Sequence, residues 1–200
     1  MIIGLPGAGK TTLAKDIAAQ QSLAVEHLDQ VIFGEGWTPR PEQDVKAKVA
    51  AIVKKDAWVV EGLSATIRSY QMDDLMVAAD KIYYLDGPAL VRAKRIASRM
   101  KSHVLGREDL PGHENGNRYG LNKATTAHIT RIMLKLNQHM NGLPGENSFV
   151  FGAQVGYCPN FRAIYGQRQM TQLRKELGLI DIVSTNYPLL PEKTDRQAVR

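Results

Sequence analysis

The chain has a single cysteine, Cys158, among its 200 residues. One thiol cannot close an internal disulfide or anchor a zinc site alone, so the composition points to a reducing, cytoplasmic setting. No apolar run approaches the length of about 18 residues that spanning a bilayer requires, which excludes a membrane helix. His103 and His113 have neither a cysteine nor a close histidine at ligand spacing, so a histidine-based metal site is rejected. Acids are missing from one segment: between Gly87 and Arg107 there are six bases (Arg92, Lys94, Arg95, Arg99, Lys101 and Arg107) and no carboxylate. The formal net charge of the whole chain is also +6. A basic excess confined to one segment suits a compact anionic ligand better than the broad footprint of a nucleic acid.

Hydrophobic residues make up 44% of the chain, enough for one sizeable core. One domain over residues 1–190, with a lid and insert at about 100–166 and a charged tail at 191–200, is the expected organisation. The most informative stretch stands at the start, MIIGLPGAGKTTLA. Gly4, Gly9, Lys10 and Thr11 satisfy G-x-x-x-x-G-K-S/T, preceded by an apolar strand stub and followed by an amphipathic run. Gly4, Gly7 and Gly9 allow backbone turns that a Cβ would forbid, so that the N–H groups around Ala8 converge on one anion. They lie where the Gly9–Ala19 helix begins, an end already favourable to phosphate. Lys10 is expected to reach the β- and γ-phosphates of ATP and Thr11 to offer its hydroxyl to Mg²⁺, with Thr12 beside them in a structural role. A motif this close to the first residue also argues against a preceding targeting sequence.

Further along, Leu23–Asp29 reads as a short strand ending in a carboxylate. Asp29 then falls at the ligand-binding edge of a parallel sheet, as a partner for metal-bound water or as a base for an acceptor hydroxyl. The competing role is a turn cap. His27 is expected to point away, in a structural role. The turn-rich stretch Gly34–Pro41 contains Trp37 and Arg40, which a loop beside the site would use to build an acceptor pocket. A helix with Val45, Val49, Ile52 and Val53 on its apolar face follows.

Ala57–Gly62 is a buried strand with Glu61 at its exit. That position suits a carboxylate orienting Mg²⁺ through water, or equally one that meets a helix N-terminus. Lys81–Asp86 is the fourth strand. In the helix after it, Ala89, Ala93, Ile96, Ala97 and Met100 form the expected core stripe. Arg92, Arg95 and Arg99 fall on the opposite stripe at i, i+3 and i+7. Like charges gathered on one stripe suggest a bound anion, against the plainer reading of a solvated face. Residues 101–120 have the polar, glycine-dotted character of a lid. Leu179–Ser184 is the expected fifth strand.

This succession resembles the small phosphate-loop kinases related to adenylate and shikimate kinase. Its nearest look is to bacterial adenylate-kinase-like proteins labelled DNA topology modulation proteins. The residues that carry the likeness are GLPGAGKTTLA, His27–Asp29, Gly36–Arg40, Trp58–Gly62 and Ala78–Asp86 with the arginine helix, over roughly the first hundred residues. Glu61-Gly62-Leu63-Ser64 departs from the Asp-Gly-x-Pro-Arg pattern of adenylate kinases on the acceptor side. The resemblance implies an α/β, three-layer P-loop NTPase fold with a five-stranded parallel sheet in the order 2-3-1-4-5 and a helical lid. It also implies ATP and Mg²⁺ on the loop, an acceptor pocket between Asp29 and Arg68, and Arg95 and Arg99 closing over the transferring phosphoryl group. The expected activity is phosphoryl transfer to a small acceptor, foremost a nucleotide. The alternative is a regulatory or nucleic-acid-associated nucleotide-binding protein with weak ATPase activity.

Overall fold

The computed structural model describes residues 1–34, 38–63, 73–104 and 160–179. Five strands form one all-parallel sheet: β1 (Ile2–Gly4), β2 (Val25–His27), β3 (Val59–Leu63), β4 (Ile82–Asp86) and β5 (Phe161–Tyr165). Their order is β2-β3-β1-β4-β5, as expected. Because β1 is central, its two neighbours deliver their C-terminal ends beside the loop that leaves it. Ile2 is in register with Glu61 on one side and Tyr83 on the other.

The described helices are α1 (Lys10–Gln21), α2 (Leu28–Ile32), α3 (Glu42–Val53), α4 (Asp73–Ala78), α5 (Ala89–Val104) and α6 (Gly166–Glu176). Strand alternation sends successive residues to opposite faces, and each face acquires its own core. Ile3, Val60, Ile82 and Tyr84 pack with Leu28, Ile32, Val45, Val49, Ile52 and Leu75 from α2, α3 and α4. Ile2, Val59, Tyr83, Leu85 and Ile164 pack with Leu13, Ala14 and Ala18 of α1 and Leu173 of α6. The result is a three-layer α/β fold. The expected α3 stripe is correct: Val45, Val49 and Ile52 are buried and Val53 is partly so, with Lys46, Lys48, Lys54 and Lys55 exposed.

Three expectations need correction. The fifth strand is Phe161–Tyr165, placed by five parallel pairings with β4; residues 180–184 lie outside the described residues. β2 stops at His27, and Asp29 sits in the first turn of α2 instead of on a strand tip. The core side of α5 is also different: Arg92 is 3% exposed and Ile96 is buried, whereas Ala97 is exposed. Arg92 therefore leaves the outward stripe assigned to it. Its burial has a local cause, since Nε donates to the Gly87 carbonyl at 3.0 Å and stands 3.7 Å from the Asp86 carboxylate. Met100 and the expected lid lie outside the side chains described.

Candidate phosphate-binding site

The loop between β1 and α1 is held from behind. Leu5 N–H donates to the Leu85 carbonyl at 3.2 Å, and Ala8 N–H to the Leu5 carbonyl at 3.3 Å. Gly4 has φ +144°, and a Cβ there would lie 2.0 Å from the Leu85 carbonyl oxygen. Gly7, at φ +75°, packs so closely on α5 that a Cβ would meet the Arg92 carbonyl oxygen at 2.7 Å. These two glycines are required by both conformation and space. Gly9, also left-handed, is the N-cap of α1 and makes no side-chain cap bond, leaving the first-turn amides open to an anion. Thr11 is partly buried and Thr12 is exposed.

Lys10 is buried, and its Nζ donates to the Leu5 carbonyl at 3.0 Å, arching over the loop. Burial pushes its pKa down; Glu61 and Asp29 oppose that shift, while Arg99 and Arg92 add to it. Glu61 stands 9% exposed at the end region of β3. Its Oε1 accepts from His27 Nδ1 at 2.7 Å, and the Thr11 hydroxyl lies near enough to act on its charge. Desolvation raises the Glu61 pKa, but the His27 hydrogen bond, the Lys10 charge and the nearby Thr11 hydroxyl outweigh it and hold the group below its ordinary value. Asp29 is exposed to solvent, although protein atoms crowd around its carboxyl group. That enclosure, followed by the like charge of Glu61, raises its pKa against the pull of Lys10 and His27. Lys10, Thr11, Asp29 and Glu61 are thus brought into one coupled cluster.

His27 was expected to point away, but it braces Glu61. The two are register partners on adjacent strands, so their side chains leave the sheet on the same face. Arg95 donates from Nη1 to the Gly7 carbonyl at 3.2 Å, at the rim of the loop. Arg99 is exposed and close enough to act on the charge of Lys10. Arg40 follows a turn closed by Gly34 N–H to the Thr38 carbonyl and by its own N–H to the Ile32 carbonyl. Its Nε is buried with no hydrogen-bond partner, a donor open to a ligand acceptor. Trp37 and Arg68 lie outside the described residues.

Among the described residues no group of three or more His, Cys, Asp or Glu side chains could hold a metal by itself. Mg²⁺ ordinarily takes one or two carboxylates and completes its shell with water and phosphate oxygens. Thr11 and Glu61, with Asp29 nearby, fit that donor set. No helix among the described residues is long and apolar enough to cross a membrane.

Sheet order and loop together define a P-loop α/β fold. No family model and no curated protein matches the chain. Three solved structures are similar to the chain at low identity. A gluconokinase from Sinorhizobium meliloti 1021 is 19% identical over 88% of this chain and 87% of that one, with a TM-score of 0.46. A shikimate kinase from Bacteroides thetaiotaomicron is 15% identical over 89% and 98%, with a TM-score of 0.48. A sugar kinase from Janibacter sp. HTCC2649 is 16% identical over 91% and 93%, with a TM-score of 0.40.

Proposed function

We propose that the chain is an ATP-dependent phosphotransferase that moves the γ-phosphoryl group to a small acceptor. The observation that carries this reading is the convergence of Lys10, Thr11, Asp29 and Glu61 at the mouth of an open-ended nest of backbone amides. Loop amides and Lys10 bind the β- and γ-phosphates, where they offset charge that builds as the bond to the bridging oxygen breaks. Thr11 and Glu61 would hold Mg²⁺, which would supply neutralisation of the negative charge that develops during transfer. Arg95 and Arg99 extend the positive surround from the far side of the loop.

A nucleotide is the acceptor that the resemblance favours. If its phosphate oxygen attacks, no base is needed. A hydroxyl acceptor is the second reading, and the placement of Asp29 favours it. Asp29 would take the hydroxyl proton, the alkoxide oxygen would bond to the γ-phosphorus, and ADP would leave with the electron pair of the broken bond. Arg40 would bind an anionic group of the acceptor through its unpartnered donor, and Trp37 and Arg68 are proposed as further acceptor-binding residues. The chain would act as a single domain through residue 190; the lid and insert expected at about 100–166 would have to end before β5, because Phe161–Tyr165 is a strand of the sheet.

The test is an ADP-release screen over nucleoside monophosphates, nucleosides and small hydroxylated metabolites. Acceptor-dependent ADP release that is lost in Lys10→Ala supports the proposal. No acceptor-dependent release, together with DNA binding that collapses with salt and ignores Mg·ATP, would favour the nucleic-acid-associated alternative.

A further inference from the structure

The His27–Glu61 contact is a specific arrangement, and the proposed reaction leaves it without a role. The two residues are partners in register at the ends of adjacent parallel strands, His27 on β2 and Glu61 on β3. Their side chains are 13% and 11% exposed, and Nδ1 lies 2.7 Å from Oε1. The Thr11 hydroxyl, at the second residue of α1, lies near the same carboxylate. A carboxylate offers about four lone-pair directions, so the bond from His27 restrains its rotation and leaves capacity for a cation. β2 ends at His27 and the chain turns at once into α2, so the imidazole is held at both its neighbours by regular structure.

We propose that His27 is a positioning residue: by donating from Nδ1 it fixes the Glu61 carboxylate toward Thr11 and so sets the affinity of the loop for its divalent cation. This rests on the phosphotransferase reading and assigns a function to a residue to which that reading gives no step. With the carboxylate free to rotate, the cation would lose one well-aimed oxygen, and the phosphate contacts of the loop amides would be untouched. Partners that orient a metal ligand in this way typically change metal affinity by about 10–100-fold when removed. Asparagine can replace the donor, because its side-chain nitrogen occupies nearly the position of Nδ1.

The experiment measures Mn²⁺ binding by electron paramagnetic resonance on the full chain saturated with ADP, with melting curves to verify folding. His27→Ala should weaken Mn²⁺ by about tenfold or more. Binding of a fluorescent ATP analogue in chelator should stay within about twofold, since that readout depends on the nest alone. His27→Asn should recover most of the Mn²⁺ affinity. In turnover, kcat at limiting Mg²⁺ should fall in His27→Ala and recover at high Mg²⁺, with KM for the acceptor unchanged. If His27→Ala does not fold, His27→Leu takes its place, having similar bulk and no N–H. Unchanged Mn²⁺ affinity in either donor-free variant overturns the proposal, and so does a His27→Asn protein as weak as the donor-free one. A wild-type protein that binds no Mn²⁺ with nucleotide overturns both this proposal and the phosphotransferase reading. Wild-type binding matched by the variants removes this proposal alone.

Discussion

A methyl group on Gly4 would collide with the Leu85 carbonyl oxygen, and the backbone there is left-handed as well. Gly4→Ala is therefore expected to cost at least about 1–3 kcal/mol, the usual scale of local backbone strain, and to weaken ATP binding. Urea unfolding checks the first part, and an unchanged midpoint would refute it. Asp29 carries a different sign. Its raised pKa means that the fold disfavours the ionised form, so stability from this group is present at low pH and lost as pH rises through the folded pKa. Asp29→Asn should accordingly raise the melting temperature at neutral pH while it slows transfer to a hydroxyl acceptor. A loss of only a few-fold would identify a phosphate oxygen as the acceptor, and a lowered melting temperature would contradict the electrostatic account. Glu61 behaves oppositely: with its pKa depressed, its stabilisation is present above the ordinary carboxylate value of 4.5 and is lost as pH falls through the lower folded value. Glu61→Gln should flatten the acid limb of a melting-temperature profile. The motif made Lys10 and Thr11 legible from residue types alone. Asp29 was legible as a residue but not as an element, because one apolar–polar alternation fits both a strand end and the first turn of a helix.

At the scale of elements, strand β5 explains what the sequence concealed. Only Ile164 of Phe161–Tyr165 is buried, and Arg162 pairs in the open with Glu176 of α6. An edge strand with one core residue has almost no hydrophobic pattern, whereas Leu179–Ser184 has a clear one. Central strands are buried on both faces, so β3 and β4 were read within two residues of their observed bounds. Helix α5 was located correctly, but its inward face was not. Arg92 faces in because Asp86 and the Gly87 carbonyl, in the turn just before the helix, await it, a contact that helical spacing does not carry. Replacing Arg92 with Met would leave the buried Asp86 carboxylate without its cation, a change that typically costs about 3–5 kcal/mol. Arg95→Met removes a contact at the rim of the loop, to the Gly7 carbonyl, and should cost much less stability while slowing turnover. Denaturant midpoints for the pair decide it. Equal destabilisation would contradict the division of labour between the two arginines.

For the whole molecule, the three layers serve to bring two strand ends and one helix start to a single point. Sheet order follows from which strands flank β1, and that order was anticipated. Of the positive charge between residues 87 and 107, Arg95 and Arg99 of α5 act on the same place. A ligand that binds only the folded chain stabilises it by about 2.7 kcal/mol at a hundredfold excess over its dissociation constant. The most direct measurement is therefore isothermal titration of Mg·ATP into the wild-type chain and Lys10→Ala. Saturable one-site binding by the wild-type chain, abolished by the substitution in a protein that still melts cooperatively, is the predicted result. No binding by the wild-type chain, or equal binding by both, would contradict the account.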